Sequence, residues 1–189
     1  MLPLRYNSEL AELVGIFLGD GCLTNVSRTE RFLISLDSRS PDQINYVSSL
    51  INKVFEIIPK IEKQKGKNCI RVLFYRKGVA KAIGFPIGNK IKNNLGIPDW
   101  IKQNNSFLKF CLRDLFETDG SCYEQPHNYT FVLDFTNRCK NLLQDVYEGL
   151  ITLGYNPQKH SDYVRLARKA EAKKFIREIN FRDFNCRVV

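Results

Sequence analysis

The sequence predicts an α+β fold made of two tandem copies of one unit, α-β-β-α-β-β-α. Three observations lead there. Leu13-Val14-Gly15-Ile16-Phe17-Leu18-Gly19-Asp20-Gly21 and Leu112-Arg113-Asp114-Leu115-Phe116-Glu117-Thr118-Asp119-Gly120 share one plan, an apolar helical stretch that runs into Asp-Gly. The same order of helix-like and strand-like periodicities follows each segment, which is how an internal repeat shows itself. The charge keeps the same two-fold rhythm: the net is −1 over residues 1–60, +8 over 61–106, −3 over 107–155 and +5 over 156–189.

In the first copy a helix is expected over Glu9–Asp20. Leu10, Leu13, Val14, Phe17 and Leu18 make it apolar nearly all round, as a buried helix is. Ala11, Gly15 and Gly19 recur every four residues and form a smooth ridge against which another helix can pack closely. Strand-like stretches follow at Cys22–Val26 and Arg31–Leu36, then a helix at Pro41–Ile58. A strand pair about Gly66-Lys67-Asn68 and a short helix from Gly78 complete the unit. The second copy reads as a helix over Phe107–Asp119, strands Ser121–Gln125 and Tyr129–Thr136, and a helix over Lys140–Leu153. A strand pair turning near Ser161-Asp162 and a helix over Ala170–Ile179 close it. The turn-rich stretch Gly88–Asn105 joins the halves, so we divide the chain into repeats at 1–95 and 107–189 with a connection at 96–106.

Composition narrows the function classes. The chain has 189 residues, 43% of them hydrophobic, which is enough for a shared core and too apolar for disorder. No apolar run approaches the roughly 20 residues that span a bilayer, and the N-terminus lacks a signal-peptide core, so an intracellular, non-secreted protein is expected. The six cysteines never form C-x-x-C, lie mostly in apolar contexts and are expected to be reduced thiols; the pattern argues against zinc. A net charge of +9 points to a polyanionic partner, nucleic acid first. With two histidines the chain is too poor in His for a His-Asn-His nuclease site. Glu171-Ala172-Lys173 has restriction-type spacing but lies in a helical pattern, away from Pro98-Asp99 in the connection. No Ser-His-Asp or Cys-His pattern supports nucleophilic catalysis.

The Asp-Gly pairs carry the chemistry. Each glycine is expected to cap its helix in the left-handed conformation. An acid at a helix C-terminus costs about 0.3–1 kcal/mol unless a cation is near. Two such ends at matching positions suggest a shared cation site. Two carboxylates forced together repel, and one tends to keep its proton unless a divalent ion lies between them.

The chain resembles the LAGLIDADG homing endonucleases in their single-chain, two-motif form. The resemblance rests on residues 13–21 and 112–120, on GNKIKNNLGIPDWI (88–101), on LKFCLRDLFETDGS (108–121) and on the repeat order. It implies motif helices packed at a pseudo-two-fold axis and two antiparallel sheets forming a saddle over the DNA major groove. It implies a monomer that hydrolyses phosphodiesters of a long, asymmetric double-stranded target. Asp20 and Asp119 would be catalytic and would bind Mg²⁺, or Mn²⁺ or Ca²⁺ at the same site, with the carbonyls of Gly19 and Thr118. The family's basic residue at the centre would match Ser35–Arg39 and Thr136–Arg138, which hold no Lys, leaving Arg39 and Arg138. Asp114, at the position matching Gly15, must meet a partner such as Arg113 or loosen the crossing. DNA contacts are expected from Thr24, Asn25, Arg28, Arg31, Lys63, Lys65, Arg71 and Arg76 in the first half. In the second they are expected from Tyr123, Gln125, His127, Asn128, Thr130, Asp134, Lys159, Arg165 and Arg168. Arg reads guanine and Asn or Gln reads adenine in the major groove, while loop Lys holds phosphate. The alternative is a non-cleaving nucleic-acid-binding protein on the same scaffold, an intron RNA maturase or a DNA-binding regulator.

Overall fold

A computed structural model describes residues 4–125 and 130–182. The first half runs α1 (Ser8–Asp20), β1 (Gly21–Val26), β2 (Thr29–Asp37), α2 (Pro41–Phe55), β3 (Lys60–Lys63), β4 (Cys69–Tyr75) and α3 (Val79–Ile83). A one-turn helix, α4 (Asp99–Lys102), lies in the connection. The second half runs α5 (Asn105–Asp119), β5 (Gly120–Gln125), β6 (Thr130–Thr136), α6 (Lys140–Thr152), β7 (Gln158–Lys159), β8 (Tyr163–Leu166) and α7 (Lys169–Ile179). The element order is the expected repeat, twice. Each half forms an antiparallel sheet of four strands, ordered β1-β2-β4-β3 and β5-β6-β8-β7.

Local chemistry accounts for the boundaries. Asn7 and Asn104 cap α1 and α5, their side chains accepting from Leu10 N (2.9 Å) and from Ser106 N (2.9 Å) and Phe107 N (3.2 Å). The second cap starts α5 two residues before the expected Phe107. Helix α2 stops at Phe55, short of the expected Ile58, with Glu56 in the left-handed conformation (φ 55°). Ile58 precedes Pro59, and a residue before proline is disfavoured in helical geometry.

The two motif helices are the centre of one continuous core. Leu10, Leu13, Val14 and Phe17 of α1 and Leu108, Leu112, Leu115 and Phe116 of α5 are all buried in it. The small-residue ridge sets the crossing. A Cβ on Gly15 would lie 2.6 Å from Cys111 O and 2.9 Å from Asp114 Cβ, and one on Gly19 would run into Thr118 Oγ1. The two helices therefore run side by side with Gly15 against Cys111 and Asp114 and Gly19 against Thr118, which brings both C-termini to one end.

Two sequence expectations are corrected here. Gly21 (φ −83°, ψ 158°) and Gly120 (φ −88°, ψ 159°) are extended, not left-handed. Each helix passes directly into a strand, and glycine is required by close approach: a Cβ at 21 would meet Phe17 O at 2.5 Å, and a Cβ at 120 would crowd Phe116 O. Cys22, Cys69, Cys111 and Cys139 are free thiols, whereas Cys122 is disulfide-bonded.

Candidate metal centre and nucleic-acid interface

Asp20 ends α1 and Asp119 ends α5, so the crossing carries both carboxylates to the point where β1 and β5 begin. Burial and the negative charge of Asp119 push Asp20 up to about 6, with Lys90 opposing the shift. Burial also raises Asp119, which is restrained by Asn137 and Lys90. Asn137 Nδ2 donates to Asp119 Oδ2 at 2.8 Å, and its Oδ1 accepts from Cys139 N at 2.8 Å, which fixes the amide. The two acids are therefore coupled but unequal.

The cation that such helix ends require is Lys90. Its Nζ donates to three carbonyls at the end of α1, Phe17 O (3.2 Å), Leu18 O (2.8 Å) and Gly19 O (2.5 Å). Phe17 O also accepts from Gly21 N, whereas Leu18 O and Gly19 O are orphan acceptors of the last helical turn, where a positive charge also complements the backbone dipole. Burial lowers the Lys90 pKa, and the charges of Asp119 and Asp20 hold it up. Lys90 comes from the turn-rich segment, which is bonded to both halves. Gly88 N donates to Leu23 O at 2.9 Å, and Ile97 N donates to Asp145 Oδ2 of α6 at 2.7 Å. The residue lies outside both stretches expected to supply a basic group.

Those two stretches behave differently. Arg39 is exposed and paired with its neighbour Asp37 (Nη2 to Oδ2, 2.7 Å). Arg138 is exposed and lines a cavity of about 520 Å³ together with Gly19, Lys90, Asp119, Thr136, Asn137 and Asp162. The structure thus brings Arg138 to the cavity that Asp119 lines and leaves Arg39 off that cavity's wall.

Among the described residues no cluster of three or more His, Cys, Asp or Glu side chains could hold a metal ion. Two carboxylates and the adjacent carbonyls do offer the oxygen-only set that a hard divalent cation takes, with its remaining positions filled from outside the protein. The mutual repulsion seen at Asp20 is what such an ion would relieve. The residues present fit a divalent cation.

Comparison with known proteins settles the family. The LAGLIDADG-like domain family matches residues 7–88 and 106–185, the two repeats. The chain belongs to that family. Its fold is similar to mesophilic variants of the homing endonuclease I-DmoI (TM-score 0.65, 18% identity, 91% of this chain and 90% of that one). It is also similar to I-DmoI in complex with DNA and Mn (0.64, 18%, 91% and 96%) and to the LAGLIDADG meganuclease I-AabMI bound to uncleaved DNA (0.56, 12%, 93% and 85%). Among curated proteins, a DNA gyrase subunit from Mycobacterium kansasii is 31% identical over 91 residues, 45% of this chain and 16% of its own length. The replication factor C small subunit of Methanocaldococcus jannaschii is 31% identical over 134 residues, 62% of this chain and 7% of its own length. The chain thus spans a small fraction of those relatives.

In this LAGLIDADG chain the sheets sort the remaining candidates by face. Phe32, Ile34, Leu36, Val72 and Phe74 point into the core. By strand alternation Thr24, Arg31, Ser35 and Arg71 lie on the opposite face, where Thr24 pairs with Arg31 and Ser35 with Arg71. Thr24 Oγ1 and Arg31 Nε are buried there without a hydrogen-bond partner among the described residues. On the matching face of the second sheet, Arg165 binds Asp134 with two bonds of 2.7 Å, and its Nη2 donates to Tyr123 OH at 2.9 Å. Arg28 sits in the exposed β1–β2 turn, Lys65 in the exposed β3–β4 turn and Arg168 at the start of α7.

Other candidates point elsewhere. Arg76 donates to Phe55 O at 3.0 Å on the helix side of the sheet, and Lys159 bonds Gln144 of α6. Asn25 and Lys63 pair in register with Glu30 and Ile70, on the core-side alternation at exposed edges. Gln125 and Thr130 pair at the open end of β5–β6. His127 and Asn128 lie outside the described residues. Among the described residues no helix is long and apolar enough to cross a membrane.

The crossing also holds a buried charge cluster that sequence reading found only in part. Asp114 is fully buried, with Arg113 Nε at 3.6 Å, and it pairs with Arg182. Arg113 Nη2 lies 2.7 Å from Glu12 Oε1, and Arg182 Nη2 lies 2.6 Å from Glu117 Oε2. Asp114 therefore does not loosen the crossing. Its second arginine comes from beyond α7, a distance in sequence that no local motif reveals.

Proposed function

We propose that this chain is a metal-dependent endonuclease that acts as a monomer on double-stranded DNA. The observation that carries the reading is the meeting of Asp20 and Asp119 at the ends of two crossed helices, at the root of two sheets. The sheet faces bearing Arg31, Arg71 and Arg165 suit a major groove, forming a saddle over a long, asymmetric site, and the excess of Lys and Arg suits the phosphates. A divalent cation such as Mg²⁺, held by Asp20, Asp119 and the carbonyls of Gly19 and Thr118, would supply Lewis-acid stabilisation of the phosphate and a more acidic water. Asp20 and Asp119 would each serve one strand. Asn137 orients the Asp119 carboxylate, and Arg138 stands at the cavity wall, where a phosphate could meet it. The structures of I-DmoI with DNA and Mn and of I-AabMI with uncleaved DNA support this assignment at the level of the scaffold.

Cleaved sites can be selected from a randomised duplex library in Mg²⁺, and the selected duplex then used with variants. Asp20→Asn and Asp119→Asn should each abolish cleavage and leave duplex binding nearly intact. Normal cleavage by either variant would show that the metal site is misassigned. A non-cleaving nucleic-acid-binding role is favoured by one observation, that Arg39 is spent on Asp37 and neither strand-to-helix turn offers a lysine. Tight duplex binding without paired strand breaks, in any divalent ion, would decide for it.

A further inference from the structure

We infer that Lys90 is a positioning residue of this centre: its ammonium occupies the first cation position at the α1 terminus, and a divalent ion must displace it. The inference rests on the metal-dependent reading above. Three observations on the chain itself carry it. The Lys90 ammonium spends its three donors on Phe17, Leu18 and Gly19 carbonyls, and Gly19 O is the one that the metal reading needs. The lysine is presented by a braced turn, because Asn89 Oδ1 accepts from Ile91 N (2.9 Å) and Lys92 N (3.0 Å), and Leu95 N donates to Lys90 O at 3.1 Å. The arrangement is also one-sided: among the described residues no lysine or arginine caps the end of α5, where Asp119 is held by a neutral amide.

A resident ammonium keeps two facing carboxylates and an open helix end together while the protein is free. It also excludes a second cation from Gly19 O by contact and by like charge. Uptake of metal at Asp20 is then an exchange of one cation for another, whereas among the described residues no ammonium bonds the α5 carbonyls and Asp119 meets Lys90 through its charge.

Calorimetric titration of the full-length protein with Ca²⁺, wild type against Lys90→Met, tests this without any turnover. Lys90→Met should bind Ca²⁺ about tenfold more tightly, a coupling of ordinary size, while melting at a lower temperature in chelator. A second measurement needs no variant: acetylation of wild-type lysines read by mass spectrometry, with exposed Lys92 as internal reference. Lys90 should be protected in chelator and become reactive when Ca²⁺ saturates. Unchanged or weaker Ca²⁺ affinity in natively folded Lys90→Met, or Lys90 labelling indifferent to Ca²⁺, overturns the displacement and leaves a lysine that only caps a helix. Absence of Ca²⁺ binding by both proteins overturns the metal reading itself.

Discussion

At the scale of single residues, the site shows how one motif can yield two different acids. Asp119 is met by an amide, whereas among the described residues no side-chain donor bonds Asp20; Lys90 is a neighbouring charge to both. Burial and the facing carboxylate raise Asp20 to about 6. The folded state therefore holds a proton on Asp20 at a pH where the unfolded chain, with an ordinary aspartate near 4, has released it. Stability rises with pH only where the unfolded state binds more protons, so the contribution of Asp20 falls as pH climbs from about 4 to about 6 and levels off above. In chelator, melting temperatures of wild type and Asp20→Asn across that window should diverge: the variant, which has no proton to lose at that position, keeps more of its stability at the upper end. Parallel curves would mean that the Asp20 carboxyl titrates normally and that the two acids are not coupled.

At the scale of elements, the α1–α5 crossing sets the distance at which the acids meet, and glycine is what permits it. The Gly15 neighbour is backbone, Cys111 O, which has nowhere to retreat. Gly15→Ala should therefore cost about 1–3 kcal/mol by overpacking, more than the gain of about 1 kcal/mol that alanine brings to a helix interior. Gly149 of α6 is the control, because the nearest atoms to a Cβ there are side-chain methyls of Leu108 and Leu112, at 3.2 and 3.4 Å, rather than backbone. Gly149→Ala should be neutral or slightly stabilising in denaturant unfolding, and equal losses at the two sites would refute the close crossing. Ala11, Gly15 and Gly19 made this contact legible in the sequence, as did the repeat order and the two Asp-Gly ends, because all are local patterns with a period. Lys90 was not legible. The helix-end argument demanded a cation, but a residue 71 positions from Gly19, in a segment without periodicity, can be placed only by the fold. Strand faces failed in the same way at Arg76 and Lys159: composition marks a residue as basic, and only register decides which side of the sheet it occupies.

At the scale of the whole molecule, the halves are joined by more than a core. Glu12 of α1, Arg113, Asp114 and Glu117 of α5, and Arg182 beyond α7 form one buried network, with the Arg182 guanidinium 4.3 Å over the ring of Tyr46 in α2. Burial, and Arg113 beside it, lower the Arg182 pKa to about 10, so it remains charged at neutral pH. The cluster contains three carboxylates against two guanidiniums, and removal of one cation leaves buried negative charge facing a single arginine. Breaking such a network from one side typically costs about 3–5 kcal/mol. Because Arg182 touches helices of both repeats, that loss should fall on the molecule as a unit. Arg182→Met should lower the melting temperature in one cooperative transition, by about 2–4 °C for each kcal/mol lost in a chain of this size. Arg177→Met, at an exposed position on α7, should leave the transition in place. Adding Glu12→Gln to Arg182→Met should cost less than the sum of the single losses, since one buried charge is removed along with its partner. Separate melting of two halves, or equal effects at 177 and 182, would mean that Arg182 decorates the crossing without holding it.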